Sequence, residues 1–170
     1  GLNMIKSYIQ NTLSLVNQLD AAEAAMRANT GASKAMADNI GKAYDQLRIF
    51  GVDIAGAAAA TNTMYTTMTD FSMASEDMQH QLIKTGLLLN EVGVDMSTYA
   101  NTIQHATKTM GMSADEAAQM MMTLRVRAMD LQMPLDELVG AIVANKEETA
   151  LLGRDAPGVF IELARVAKIT

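Results

Sequence analysis

Cysteine and tryptophan are absent from this chain of 170 residues, and proline occurs only twice. Without cysteine the chain has no disulfide framework, no thiolate metal site and no thiol nucleophile. With only two histidines as well, we expect no bound metal and no cofactor. Aromatic residues make up only 4% of the chain, which argues against β-strands.

Basic residues are also scarce. The chain has 13 Lys and Arg against 19 Asp and Glu, a net charge of −6, so no specific nucleic-acid-binding surface is predicted. The first ten residues contain one Lys in an amphipathic pattern and carry no targeting signal. The longest uncharged stretch, Ile54–Thr69, is shorter and more polar than a bilayer-spanning helix requires. A membrane-perturbing helical protein acting through residues 54–69 remains an alternative function.

Alanine, leucine and 15 methionines dominate the 49% of hydrophobic residues. These residues lose little side-chain freedom in a helix, so the composition predicts an all-α fold. The length fits one domain or one extended piece. Because the first residue is Gly1 rather than Met, we expect a longer parent polypeptide.

One heptad register runs from Ile5 to Phe71 without a proline. Seven of its ten a positions and nine of its ten d positions are apolar. This pattern predicts that residues 1–72 form an extended, coiled-coil-like helical segment. Asn29 and Ser33 interrupt the apolar seam around Gly31, so a break is expected near residues 29–33.

Apolar e positions widen the seam beyond what a two-stranded coil uses, which favours three or more copies of the chain. We therefore predict self-association as a trimer or hexamer. The predicted oligomer interface consists of Ile40, Leu47, Phe50, Ile54, Ala57, Met64, Met68 and Phe71.

Shorter helices are predicted for residues 73–170, where capping signals become frequent. We expect helices to begin near Ser33, Ser75, Ser97, Ser113 and Pro134. Ser113 and Glu116 match a capping box, and Pro134 suits the first position of a helix. Predicted helix ends are Asn90, Gly111, Leu131 and Gly153, and Pro157 opens a last helix over 158–168.

An imperfect internal repeat links these starts. Residues 112–117 match residues 133–138, and residues 96–100 match the first part of the same pattern. The unequal spacing favours a stack of short helical hairpins over a strict solenoid. Chance reuse of a good helix start is the alternative.

No catalytic constellation is found. His80 and His105 lie on separate predicted helices, where we expect solvated side chains. The acidic pairs at 115–116 and 136–137 occupy first helical turns, where they complement the helix dipole. Phosphate-binding, dinucleotide, zinc-protease and calcium-loop motifs are missing, so we do not expect an enzyme.

Methionine is concentrated in residues 110–133. Three consecutive methionines cannot share one face of a helix, so at least one of Met120, Met121 and Met122 must point to solvent or to a partner. These three residues and Met129 form the predicted partner surface. Core packing is the alternative explanation.

Two stretches resemble the core region of bacteriophage tail tape-measure proteins. They are Ala106-Thr107-Lys108-Thr109-Met110-Gly111-Met112-Ser113-Ala114-Asp115-Glu116-Ala117-Ala118 and Leu131-Gln132-Met133-Pro134-Leu135-Asp136-Glu137-Leu138-Val139-Gly140. Ala-rich Ile54–Tyr65 is similar to the upstream helix of that core, and the resemblance extends over about Ile40 to Lys168. Pro134 stands where those chains more often carry Ser.

The resemblance implies a structural virion protein that sets the length of the tail tube and occupies its lumen until DNA is ejected. Its implied partners are further copies of itself, the tail tube, tail-tip or baseplate-hub proteins, and transiently a membrane at ejection. The implied location is the tube lumen or tail tip, and the host cytoplasm during assembly. A coiled-coil adaptor or scaffold protein that binds through the methionine-rich surface is the other alternative.

Overall fold

The structure, a computed structural model, describes residues 51–169 and, before them, only residues 17–18, 20–22, 24, 40–42, 44–45 and 48. Contacts divide the chain into two compact units, residues 1–62 and residues 63–170. The predicted break near 29–33 and the predicted helix start at Ser33 lie outside the described residues.

Seven α-helices are described over residues 51–169. They are α1 (Ile54–Thr67), α2 (Glu76–Asn90), α3 (Met96–Thr109), α4 (Ala114–Leu131), α5 (Leu135–Ala144), α6 (Lys146–Leu152) and α7 (Ala156–Ile169). Two short 3-10 helices cover Phe71–Met73 and Gly153–Asp155. No strand occurs in the described part of the chain, and the predicted all-α class is confirmed.

The helix is interrupted within the predicted heptad seam. Residues 51–53 are not helical, and Gly51 has a φ of +85°, which a residue without Cβ adopts at little cost. The carboxylate of Asp53 accepts the backbone N–H of Gly56 at 2.7 Å and so caps the start of α1. Because α1 also ends at Thr67, residues 51–71 do not form one continuous helix.

Two helix starts lie where the capping residues predict them. The Ser75 side chain accepts the backbone N–H of Met78 at the start of α2. Ser113 and Glu116 form both bonds of a capping box at α4, at 3.1 and 2.7 Å. Two others are displaced by one or two residues: Asp95 rather than Ser97 precedes α3, and Pro134 lies just before α5 rather than in its first position.

Three connections between successive helices share one backbone form. Each contains a residue with positive φ, which is Gly93, Gly111 or Gln132. The apolar residue that follows returns its N–H to the preceding helix: Val94 to Leu89, Met112 to Ala106, and Met133 to Ala128. In each case the apolar residue is followed directly by the residue that precedes the next helix. The internal repeat of the sequence is therefore a repeated connection, in which one helix ends and the next begins. The structure pairs Asp95 with Ser113, and the predicted pairing of Met96 with Met112 is wrong by two residues.

The same repeat also determines which side chains are buried in the core. The counting starts from the residue that precedes each helix, which is Asp95, Ser113 or Pro134. Side chains four, five and eight positions after it are at most 2% exposed: Tyr99, Ala100, Ile103, Ala117, Ala118, Met121, Leu138, Val139 and Ile142. α2 packs on α3 and α4, α3 packs on α4 and α5, and α7 packs on both α4 and α5. Each helix from α4 onwards, apart from short α6, therefore lies against the two helices of this series before it.

The predicted helix from Pro134 to Gly153 is broken at Asn145. This residue has φ −111° and ψ 54°, and its side-chain amide donates to the carbonyl of Ala141 at 2.6 Å. The side chain thus supplies the donor that a continuing helix would have supplied from its backbone. α5 ends there, and α6 begins at Lys146.

Candidate binding surfaces and buried polar contacts

A buried histidine joins α3 to α6. The Nε2 atom of His105 lies 2.6 Å from the hydroxyl of Thr149, and its Nδ1 atom lies 2.7 Å from the hydroxyl of Thr109. The Thr149 hydroxyl also donates to the carbonyl of Asn145 at 3.0 Å. His105 is 7% exposed, so the prediction of a solvated side chain is wrong, because α6 covers this face of α3. His80 is half-buried on α2.

A hydroxyl this close to an imidazole nitrogen has the spacing of a nucleophile and its base. Thr149 is fully buried, however, and a substrate cannot reach its hydroxyl in this conformation. Burial lowers the pKa of His105, and the charge of Lys146 lowers it further. The contact therefore fastens α6 onto α3 through a neutral imidazole near pH 7.

Arg154, in the 3-10 helix that precedes α7, contacts the α3–α4 turn. Two of its nitrogens donate to the carbonyl of Gly111, at 3.0 and 2.7 Å, and a third donates to the carboxylate of Glu116 at 2.6 Å. The backbone N–H of Ser113 and the charge of Arg154 lower the pKa of Glu116. One guanidinium group thus joins the end of α3, the capping box of α4 and the segment before α7.

The predicted methionine surface is divided between core and solvent. Met120 and Met121 are buried in the core, Met122 is half-buried, and Met129 is 70% exposed. Val126, one turn before Met129, is also exposed. The described chain therefore presents Met129 and Val126 on α4, and it does not bring all four methionines to one surface.

Most residues of the predicted oligomer interface are buried within the single chain. The buried residues are Ile40, Ile54, Ala57, Met64, Met68 and Phe71. The Phe71 ring meets the ring of Tyr65 edge-on, with centroids 4.7 Å apart. Leu47 and Phe50 lie outside the described residues. The seam positions that the structure describes are thus in contact with their own chain in this conformation.

An apolar groove of about 670 Å³ lies between α5 and α7. Its lining includes Leu138 and Ala141 of α5, together with one face of α7. That face consists of Phe160, Leu163, Ala164 and Ala167. Sequence reasoning missed this groove, although the spacing of the four α7 residues is the i, i+3, i+4, i+7 pattern of a helix face.

Further apolar side chains are exposed on and next to α7. Val159 and Val166 flank Leu163, which is itself 59% exposed, and Leu151 lies on α6 with 90% of its surface exposed. A concentration of large apolar side chains on the surface is typical of protein-binding sites. The α5–α7 groove and the exposed apolar side chains of α7 therefore form a candidate binding surface within residues 63–170.

Within the part of the chain that the structure describes, no cluster of three or more His, Cys, Asp or Glu side chains is arranged to hold a metal ion. Among these same residues, no helix has both the length and the hydropathy that crossing a membrane requires.

Comparison of the chain with family models, with curated proteins and with solved structures finds no match.

Proposed function

We propose that this chain is a structural segment of a bacteriophage tail tape-measure protein, which sets tail-tube length and occupies the tube lumen before DNA ejection. The main support is where the resembling residues lie. Residues 106–118 and 131–140 are two successive copies of the same helix connection, with positive φ at Gly111 and at Gln132. The resemblance thus coincides with a repeated building unit of a helical stack, as expected for a structural protein.

Under this proposal the two parts of the chain have different roles. A helix advances 1.5 Å per residue only where it is extended, and the connected short helices of residues 75–169 double back on one another. Length measurement therefore belongs to extended helical parts of the parent protein. Residues 75–169 act instead as a compact module that binds another tail component.

Deletions in the parent protein test this division. Removing three heptads, 21 residues, from an extended helical part should shorten the tube by roughly 30 Å. Removing residues 75–169 should abolish tail assembly, because the docking module is lost. Electron micrographs of the particles give both results, and tails of unchanged length after both deletions would contradict the proposal.

A scaffold or adaptor protein is the second candidate function. The exposed side chains of Met129 and Leu163 favour it, since both suit an adaptable apolar contact. The two functions predict different locations for the protein. A tape-measure segment is present in purified virions, whereas an adaptor that acts only in assembly is absent from them, and immunoblotting of purified particles distinguishes the two.

A further inference from the structure

We propose that the face of α7 formed by Val159, Leu163 and Val166 binds an amphipathic helix of another protein, one that carries Lys or Arg beside its apolar stripe. This contact is separate from the predicted seam at residues 40–71. It goes beyond the proposed function, because it follows from the side chains of α7 and applies equally to a tail protein and to an adaptor.

The three apolar side chains form a short stripe along α7. Val159, Leu163 and Val166 are all exposed, and together they line a shallow depression of about 420 Å³. Their spacing of four and then three residues is that of successive d, a and d positions in a heptad. Side chains at these positions lie on one side of a helix, where they pack between the side chains of a neighbouring helix. The stripe therefore has the form of one half of a helix-to-helix contact.

Two carboxylates border the same depression. Asp155 and Glu162 are exposed and line it together with the valines. Asp155 lies four residues before Val159, and Glu162 lies four residues before Val166, so each acidic residue is one helical turn from a valine. In the heptad both occupy g positions, where coiled coils place the residues that form ion pairs with the partner helix. One side of the stripe is therefore negatively charged.

The nearby cations do not cancel this charge. Arg165 lies 3.4 Å from the carboxylate of Glu162, and an exposed pair of this kind is weak. With about 100° between successive residues, Arg165 lies beyond Glu162 as seen from the apolar stripe. The two oxygens of Glu162 together offer about four acceptor sites, so a second cation can bind on the side facing the stripe. Arg154, next to Asp155 in the chain, donates instead to Gly111 and Glu116.

The charge pattern favours a different protein over a second copy of this chain. In an antiparallel coil the g positions of the two helices face one another, so a second copy would bring carboxylate against carboxylate. In a parallel coil each g position faces an e position. The e positions of α7 are Phe160 and Ala167, and neither carries a charge. A helix with Lys or Arg beside its apolar stripe would instead form ion pairs with Asp155 and Glu162.

Two synthetic peptides test the chemistry of the partner. Each is a three-heptad helix with Leu at the a and d positions, and the e and g positions are all Lys in one peptide and all Glu in the other. At low ionic strength the Lys peptide should bind the full chain about tenfold more tightly than the Glu peptide, as measured by fluorescence anisotropy. Leu163→Ser should raise its dissociation constant about tenfold, because the apolar contact is lost. Equal binding of the two peptides, or unchanged binding by Leu163→Ser, would overturn the proposal.

A charge reversal tests where the contact lies. The double variant Asp155→Lys, Glu162→Lys should bind the Glu peptide more tightly than the Lys peptide. The control Glu91→Lys, Asp130→Lys makes the same change in net charge at exposed sites on other helices and should still prefer the Lys peptide. Circular dichroism verifies that each variant is folded. A reversal in the control as well would reduce the effect to net charge, and no reversal in the α7 variant would place the contact elsewhere. Either result contradicts the proposal.

Sedimentation equilibrium of the full chain alone tests whether a second copy occupies this face. Any assembly of the natural chain should have the same mass in Leu163→Ser, because the stripe is proposed to bind a different protein. An assembly that Leu163→Ser dissociates would assign the face to a second copy and overturn the proposal. None of these measurements depends on tail length, which the deletions described above test separately.

Discussion

Helices α2 to α5 and helices α6 and α7 are positioned by different kinds of contact. Each connection from α2 to α5 is closed by backbone bonds within six residues, such as Met112 N–H to the carbonyl of Ala106. The α6–α7 part depends on polar side chains far apart in sequence. His105 meets Thr149 across 44 residues, and Arg154 meets Gly111 across 43.

This difference separates two kinds of information in the sequence. A local connection needs only a residue that tolerates positive φ, an apolar residue and a capping residue, so it can be repeated along the chain. A contact between distant residues cannot be repeated in this way, because each partner must be present at one particular place. Variants that disturb each kind of contact should therefore have different consequences.

The largest effect is expected where α2 crosses α3. A Cβ atom at Gly86 would lie 2.6 Å from the Tyr99 ring, whose hydroxyl is held by the carbonyl of Leu82 at 2.8 Å. Gly86→Ala should lower the free energy of unfolding by about 2–3 kcal/mol through overpacking. Gly140→Ala is the matched control, because its Cβ meets nothing within 4 Å, and it should raise stability by about 0.5–1 kcal/mol. Urea denaturation measures both, and similar losses for the two variants would refute the close approach.

A somewhat smaller effect is expected at the contact between α3 and α6. Thr149→Val keeps the shape of the side chain but leaves the Nε2 atom of buried His105 without its hydrogen-bond partner. The free energy of unfolding should fall by about 2 kcal/mol. Hydrogen exchange of the α6 amides should accelerate as well. Thr102→Val is the control. The buried Thr102 hydroxyl donates to the carbonyl of Thr98, one turn back in the same helix, at 2.7 Å. Its loss should lower the free energy of unfolding by about 0.5 kcal/mol or less. Unchanged exchange in α6 would show that the histidine contact does not hold that helix.

The capping box of α4 provides a third, local test. Ser113→Ala removes the acceptor for the Glu116 N–H and should lower stability by about 1 kcal/mol. Ser97→Ala should cost less, because the Ser97 hydroxyl donates to the exposed side chain of Asp95 and caps no backbone N–H. Thermal unfolding compares the two, and an equal loss would mean that the sequence motif has no special role at α4.

The smallest effect is a pH dependence from His105. Its pKa in the folded chain is below the unfolded value of 6.5, so the unfolded chain takes up the proton first as the pH falls. The free energy of unfolding should therefore decrease as the pH falls from 7.5 to 5.5. Glu116 affects the pH dependence of stability only at lower pH, because its pKa in the folded chain is lowered from 4.5. Urea midpoints should show a flatter slope for His105→Gln and an intermediate slope for Lys146→Met, and an unchanged slope in His105→Gln would exclude this histidine as the cause.

Local chemistry explains which parts of the fold the sequence made predictable. The all-α class, the cap at Ser75 and the capping box at Ser113 and Glu116 depend on residues within one turn of each other. The positive φ at Gln132 could not be anticipated, because glycine is the residue that usually signals this conformation. The break at Asn145 depends on a side chain that competes with the helix backbone, and its sequence signal is weak.

The candidate surfaces were less predictable for a similar reason. Burial of Met120 and Met121 and exposure of Met129 follow from which neighbours cover α4, and periodicity alone does not specify those neighbours. His105 is buried only because α6 returns over α3. The α7 face carried a readable helical pattern, yet the groove exists only once α5 lies beside it.

The Arg154 contacts have a consequence for the order in which the protein folds. The guanidinium group binds the carbonyl of Gly111 and the carboxylate of Glu116, and these two acceptors come together only after α3 has ended and α4 has begun. Since short-range closures form before contacts across some 40 residues, the α3–α4 turn should form early and α7 should dock late. Unfolding should take the reverse course, with α7 released first from a stack that is still helical.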